Sequence, residues 1–115
     1  DNSVIYCVPA YNISKKNAKR HPKGKWNGYV LDFDGFSIYI AGDTEFIQEM
    51  KELKNINIAF LPVSRFTMDL KQLRQAVETI KPKIVYPYHF CDADTAQIRK
   101  ALQGTGAEVR IRYLR

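Results

Sequence analysis

Hydrophobic residues in this chain fall into short runs separated by polar stretches, and most runs have the length and composition of β-strands. β-Branched and aromatic residues dominate them, and Pro, Gly or charged residues close them. The pair Asp34-Gly35 joins two such runs, which is a strong signal for a β-hairpin. The pattern predicts strands at Ser3–Ala10 and at residues 28–33, 36–41, 56–63, 83–88 and 109–114.

Three other segments repeat apolar residues at intervals of three or four, as amphipathic helices do. We expect Asp43 or Thr44 to cap the first helix, Asp69 the second and Asp94 the third, because Asp and Thr side chains accept hydrogen bonds from the first turn. The apolar positions are Phe46, Ile47, Met50 and Leu53 in the first helix, Leu70, Leu73, Val77 and Ile80 in the second, and Ile98, Ala101 and Leu102 in the third.

The order of these elements predicts the fold class. A strand, a loop, a hairpin and three helix–strand units indicate an α/β fold, with a mixed β-sheet and helices on one face, in a single domain over residues 1–115. The runs at residues 30–31, 58–61 and 84–85 are apolar on both sides of their strands, as in a sheet covered on both faces. Three helices cannot readily cover both faces, so we expect a second layer from another chain or a missing segment. Without it, the exposed apolar face would not give a stable monomer.

Residues 11–26 form a long polar stretch that we interpret as a loop. The formal net charge is +6, and this basic loop (residues 11–26) carries six cations and no acid. Such a loop suits an anionic substrate, a nucleic acid or an acidic partner, and an ordinary solvated loop is the alternative. The cations are Lys15, Lys16, Lys19, Arg20, Lys23 and Lys25.

The two cysteines and the chain start bear on the cellular setting. Cys7 lies in an apolar run, so we expect it to be buried, and its spacing from Cys91 does not indicate a disulfide. We therefore expect reduced thiols and a cytoplasmic protein. No basic-then-apolar leader opens the sequence, and no apolar run has the length of a membrane span.

Two side chains able to bind a metal ion follow predicted strands. Asp43 comes after the run 38–42, and His89 comes after the run 84–88. Two such strand ends side by side would make a metal-binding edge, although a hydrolytic site usually needs three protein ligands or more. Each residue also has a simpler interpretation, Asp43 as a helix cap and His89 as a structural histidine among aromatic residues.

Other candidate residues give weaker signals. His21 lies in the basic loop and reaches a metal site only if the loop folds over that edge. Tyr11, Ser64 and Thr67 could offer hydroxyl groups to a substrate. No Gly-x-Ser-x-Gly motif supports a serine hydrolase, and the spacing of His89 and Cys91 is poor for a thiol nucleophile.

Several short segments, taken in order along the chain, carry a family resemblance. They are residues 8–12, 21–24, 28–30, 38–44, 49–50, 59–63, 66–68 and the run from 81–83 through 87–90. In this order they resemble the metallo-β-lactamase superfamily, and in particular its small metal-dependent hydrolases of the lactonase-like type. The resemblance covers nearly the whole chain, but it is to the C-terminal half of that family only.

The resemblance implies a fold and a ligand set. The family folds as an αββα sandwich of two similar halves, so this chain would be one half of that sandwich. The His-x-His-x-Asp-His cluster of the first half does not occur here. Asp43 matches the bridging Asp of the second half, and His89 matches its late His. The middle ligand falls near Asn12, with His21 as the histidine candidate.

The resemblance also implies a chemistry. One or two divalent ions, typically zinc with manganese as an alternative, would activate water for attack on a lactone, ester or phosphoester. The basic loop would receive a small anionic substrate, with Tyr11, Asn12, Lys23 and Thr67 as candidate contacts. The implied partner is an N-terminal half of the same fold on a separate polypeptide.

Two other hypotheses remain open at this point. The basic loop could belong to a non-enzymatic module that binds nucleic acid or an acidic protein. The chain could also be an inactive half that forms a homo-oligomer, in which Asp43 and His89 occur twice.

Overall fold

The Asp34-Gly35 turn folds the first half of the chain into the predicted hairpin. In the computed structural model, which describes residues 3–90 and 94–113, both turn residues have positive φ angles, 55° and 94°, as a tight two-residue turn requires. The turn joins β2 (Trp26–Phe33) to β3 (Phe36–Ile40), and β1 (Ser3–Ala10) pairs antiparallel with β2.

Three parallel strands extend the sheet beyond the hairpin. β4 (Ile58–Pro62) pairs with β3, β5 (Ile84–Tyr88) pairs with β4, and the short β6 (Glu108–Val109) pairs with β5. The strand order in space is therefore the order in sequence, β1 to β6. This mixed α/β sheet confirms the predicted fold class.

The two α-helices begin at the predicted caps. α1 (Leu70–Ile80) follows Asp69, whose side chain accepts a 2.8 Å hydrogen bond from Gln72 N. α2 (Thr95–Ala101) follows Asp94, which accepts from Ala96 N at 2.9 Å. Within the described ranges, no helix is long and apolar enough to cross a membrane.

Two predicted elements differ widely in extent from the structure, and smaller differences occur at β2, which begins at Trp26 in the predicted loop, and at β4, which is shorter than predicted. The first predicted helix is only a 3₁₀ turn (Gln48–Glu52), whose N-cap residue is Ile47 and has no side chain able to cap it. Thr44, an expected cap, instead accepts a hydrogen bond from Tyr11 N through its Oγ1. The last strand ends at Val109, where pairing with β5 stops after Arg110 N donates to Val85 O. Residues 110–113 lie outside the sheet, and residue 114 lies outside the described residues.

One face of the sheet is buried under the helices. The row of partners Val30, Tyr39, Ala59 and Val85 crosses four strands, and all four residues are buried. Leu73, Val77 and Ile98 of the helices belong to the same hydrophobic core, and each is at most 1% exposed. The helices therefore lie on one side of the sheet, as predicted.

The opposite face presents two continuous rows of mostly apolar side chains, which we term the open apolar face. Its residues are half-buried or exposed in the described part of the chain, and the ring of Phe60 stacks on that of Tyr86 at 4.9 Å. Cys7 belongs to this face and is exposed, so its predicted burial is wrong, while Cys91 lies outside the described residues. One row is Ile5, Leu31, Ile38, Ile58 and Ile84, and the other is Cys7, Tyr29, Ile40, Phe60 and Tyr86.

Candidate metal centre

The two predicted metal ligands lie at the same edge of the sheet. Asp43 follows the C-terminal end of β3, and His89 follows the C-terminal end of the parallel strand β5. Gly42 turns the chain after β3 with a φ of 77°, and His89 has a φ of 61°, which is uncommon for a non-glycine residue. Such backbone conformations cluster at functional sites, where surrounding contacts hold them in place.

The Asp43 carboxylate lies between two imidazole rings. Its Oδ1 is 3.0 Å from His89 Nδ1, and its Oδ2 is 3.5 Å from His21 Nε2. The three side chains differ in exposure, from 20% for His21 to 41% for Asp43 and 54% for His89. The structure thus brings together the two stronger sequence candidates and the weaker one, and all three reach the surface.

Tyr88 connects the ends of β3 and β5 at this edge of the sheet. Its hydroxyl donates a 2.8 Å hydrogen bond to Gly42 O, and its ring meets the His89 ring edge-on at 4.8 Å. Burial raises the pKa of Tyr88, so the hydroxyl keeps its proton and remains a donor. Tyr88 was not among the predicted site residues, because nothing local in the sequence indicates that its hydroxyl reaches the turn after β3.

Asn12 fixes the orientation of His21. The loop between them closes through a 2.8 Å hydrogen bond from Asn12 N to His21 O. Asn12 Nδ2 lies 2.8 Å from Phe66 O, 3.2 Å from Asn17 O and 3.2 Å from His21 Nδ1. Because an amide nitrogen cannot accept a hydrogen bond, a proton on His21 Nδ1 would have no acceptor in Asn12 Nδ2, so this contact favours the tautomer of the neutral ring with its proton on Nε2.

Glu45 anchors the basic loop beside the site, although no local signal in the sequence predicts this role. It is 2% exposed, and its Oε1 accepts hydrogen bonds from Ile13 N and Ser14 N at 2.6 Å each, while Gln72 Nε2 donates to Oε2 at 3.3 Å. Burial alone would raise the pKa of Glu45, but the hydrogen bonds from Ser14, Ile13 and Gln72 outweigh it and lower that pKa.

The predicted substrate contacts are engaged within the protein. Tyr11 is buried and donates to Glu49 Oε1 at 2.6 Å, and burial together with Glu49 raises the pKa of Tyr11 to about 12. Lys23 Nζ pairs with Glu49 Oε2 at 3.8 Å. Thr67 is buried and hydrogen-bonds Ser64 through their hydroxyl groups. Their role toward a substrate stays a prediction.

The donor chemistry at this edge fits a divalent metal ion, although the number of donors is incomplete. A carboxylate with two oxygens facing imidazole nitrogens offers ligand types that zinc takes. Within residues 3–90 and 94–113, no group of three or more His, Cys, Asp and Glu side chains is arranged to hold a metal ion. The ligand roles of Asp43, His89 and His21 stay predictions.

The sequence of this chain is similar to those of known metal-dependent hydrolases. The family model described as the beta-lactamase superfamily domain matches residues 2–90. A protein named metal-dependent hydrolase from Thermococcus onnurineus is 37% identical over 96% of this chain and 53% of its own length. A second, from Nanoarchaeum equitans, is 36% identical over 90% of this chain and 53% of its own length. The chain thus spans about half the length of the curated relatives it matches.

Solved structures show the same architecture. A protein described as a candidate metal-dependent hydrolase from Parabacteroides distasonis superimposes with a TM-score of 0.93 at 49% identity, over 98% of this chain and 52% of that chain. A metallo hydrolase from Ignicoccus hospitalis gives a TM-score of 0.77 at 27% identity, over 96% and 50% of the two chains. A metallo-beta-lactamase fold protein from Bacillus subtilis, only 8% identical, shares the fold with a TM-score of 0.70 over 96% and 47%.

Proposed function

This chain belongs to the metallo-β-lactamase superfamily, and from that premise we propose that it supplies one half of the active site of a zinc-dependent hydrolase. The observation that carries the proposal is the position of Asp43, whose two carboxylate oxygens face His89 and His21 at the C-terminal edge of the sheet. The substrate class is a small anionic lactone, ester or phosphoester, and the setting is the cytoplasm.

Asp43 and His89 are the residues that would hold the metal ion, through a carboxylate and an imidazole. A bound zinc ion would supply an activated water and would polarise the scissile bond. His21 is the proposed positioning residue for Asp43, because its Nε2 lies 3.5 Å from Oδ2 while Asn12 contacts the other ring nitrogen. Direct binding of metal through His21 Nε2 would require the other tautomer.

The remaining ligands come from a second half of the same fold, which packs on the open apolar face. Two features support this part of the proposal. The apolar rows would lose contact with water under a second sheet, and the matched relatives are about twice as long as this chain. That half would carry the His-x-His-x-Asp-His cluster implied by the family resemblance.

Metal analysis of the purified natural protein tests the proposal. Native mass spectrometry, followed by a denatured mass and elemental analysis, gives the number of polypeptides and ions per site. Hydrolysis of a panel of lactones, carboxylic esters and phosphoesters then measures activity. We expect zinc in the unsubstituted protein, and loss of both zinc and hydrolysis in Asp43→Asn.

Asp34→Asn is the matched control, since Asp34 lies in the hairpin turn at the opposite end of β3 and Asn also adopts its φ of 55°. It should keep the zinc content and the activity of the unsubstituted protein. Equal zinc content in the Asp43→Asn and Asp34→Asn variants would contradict the proposed role of Asp43.

A further inference from the structure

Two arginines from separate segments pack on one aromatic ring near the candidate metal centre. The guanidinium carbon of Arg20, in the basic loop, lies 3.8 Å from the ring centroid of Phe66. That of Arg65, in the turn after β4, lies 4.8 Å from the same centroid. A guanidinium held against an aromatic ring keeps its N–H groups free to donate at its edges.

Buried amide groups hold the two segments together. Asn17 is 5% exposed, and its Nδ2 donates to Arg65 O at 2.9 Å, while Asn12 Nδ2 donates to Phe66 O at 2.8 Å. The side chains of Ser64 and Thr67 close the turn through a 2.9 Å hydrogen bond. Because these contacts fix the backbone on both sides, the two arginines are brought together by the fold and not by chance loop positions.

Among the described residues, neither guanidinium has an acidic partner. Within residues 3–90 and 94–113, no carboxylate lies within ion-pair distance of Arg20 or Arg65. Two neighbouring positive charges repel each other, and a bound anion would relieve that repulsion.

A cavity of about 160 Å³ next to this pair is lined by Arg65 and Lys16. Its lining also contains two acids, Glu45 and Asp69, which accept hydrogen bonds from the loop backbone and from the first turn of α1. The two cations and the two acids of the lining balance in formal charge, and Arg20, packed on the neighbouring Phe66, adds one positive charge that no described acid pairs with.

We propose that Arg20 and Arg65, packed on Phe66, form a binding site for a phosphate group that the substrate carries and keeps during hydrolysis. Two guanidinium groups provide two forked donor sets and two charges, which match a phosphate dianion better than a single carboxylate. The site connects to the metal centre through Asn12, whose Nδ2 touches both Phe66 O and His21 Nδ1. This inference rests on the proposed function and narrows its substrate class to phosphorylated molecules.

Inorganic phosphate is the probe that tests the site. Isothermal titration of the purified natural protein measures its Kd in the unsubstituted protein, in Arg20→Gln, in Arg65→Gln and in the double variant. Gln keeps part of the side-chain stem but removes the charge. The control is Arg112→Gln, which makes the same charge change at an exposed position. Because phosphate can also bind a metal ion, each titration is repeated in the Asp43→Asn background.

We expect each Arg20 or Arg65 variant to weaken phosphate binding about tenfold or more, with zinc content unchanged and Arg112→Gln without effect. We also expect Asp43→Asn to leave the phosphate Kd unchanged. The phosphate site and the proposed metal centre can therefore fail independently of each other. Equal Kd values in all variants, or an equal loss in Arg112→Gln, would overturn the phosphate site. Tight binding of single-stranded RNA would also overturn the phosphate site. If RNA binds several orders of magnitude more tightly than phosphate, and Arg20→Gln and Arg65→Gln abolish that binding, the two arginines form a nucleic-acid surface.

Discussion

Asp43 Oδ1 lies 3.0 Å from His89 Nδ1, and the pair spans the end of β4, which separates their two strands in the sheet. The contact depends on parallel pairing of β3, β4 and β5, which brings both C-terminal ends to one edge. His21 reaches the same carboxylate from the basic loop, 3.5 Å from the other oxygen. One carboxylate thus connects the sheet edge to the loop above it.

Substitution of the two histidines should separate a metal ligand from an orienting residue. His89→Asn should abolish binding of one zinc ion even at saturating metal, since it removes a ligand while Asn tolerates the positive φ at this position. His21→Ala should leave the number of ions unchanged at saturation and weaken zinc affinity by roughly 10- to 100-fold, as loss of a ligand-orienting residue does. Competition with a chelator of known affinity measures both quantities.

The outcome for His21 decides between its two roles. If His21→Ala loses an ion at saturating zinc, His21 is a ligand and the tautomer inferred from Asn12 is wrong. Asp34→Asn again serves as the control, because it changes an exposed turn at the other end of the sheet.

Glu45→Gln should destabilise the basic loop in a pH-dependent way. The hydrogen bonds that lower the pKa of Glu45 in the folded protein stabilise it above the ordinary value of 4.5, and this stabilisation is lost as the pH falls through the lower, folded-state pKa. At pH 7 the variant should lose about 1.5–3 kcal/mol, the range for hydrogen bonds to a charged group. The difference from the unsubstituted protein should shrink below pH 4.5.

Urea unfolding between pH 3 and pH 8 measures this dependence, in roughly half-unit steps across the range where carboxylates titrate. Glu78→Gln is the matched control, since the Glu78 side chain is half exposed and pairs with Arg74 on the surface of α1. A Glu45→Gln difference that stays constant from pH 7 to pH 3 would show that the carboxylate charge does not hold the loop.

Elements with strong local signals could be predicted from the sequence. The Asp34-Gly35 turn and the Asp69 and Asp94 caps depend on neighbours a few residues away, and all three occur as expected. Thr44 shows where local reasoning fails. Its hydroxyl accepts from Tyr11 N, a partner 33 positions away, and the cap expected at Asp43 or Thr44 does not form.

The same limit applies to the site. Asp43 and His89 could be singled out because each follows an apolar run, which is visible in the sequence. The positions of Glu45, Tyr88 and His21 depend on contacts between segments far apart in the chain. No periodicity or spacing encodes such contacts, and the folded sheet edge is what brings them together.

Gly28→Ala should disrupt the sheet edge that carries Asp43. A Cβ at position 28 would lie 2.5 Å from both Ile40 O and Ala41 O, which are backbone atoms just before Gly42. Relief of this clash must shift β2 against β3, so we expect a loss of at least about 2 kcal/mol and weaker zinc binding. Thermal unfolding and zinc titration test this, with Asn27→Ala, exposed on the same strand, as the control. A Gly28→Ala variant as stable as Asn27→Ala would show that β2 can shift against β3 without a loss of stability.

Two equally exposed isoleucines can reveal whether the open apolar face is covered in the natural protein. Ile5 on that face is 67% exposed in this chain, and Ile13 in the basic loop is 61% exposed. If a second half packs on the face, Ile5→Asn places an unpaired amide under it and should lower the free energy of unfolding by about 2 kcal/mol or more. Ile13→Asn, which adds no charge beside Glu45, should change it by less than about 0.5 kcal/mol, as surface substitutions do. Chemical unfolding of the natural protein measures both values, and equal small effects would mean that the face at Ile5 stays in contact with water.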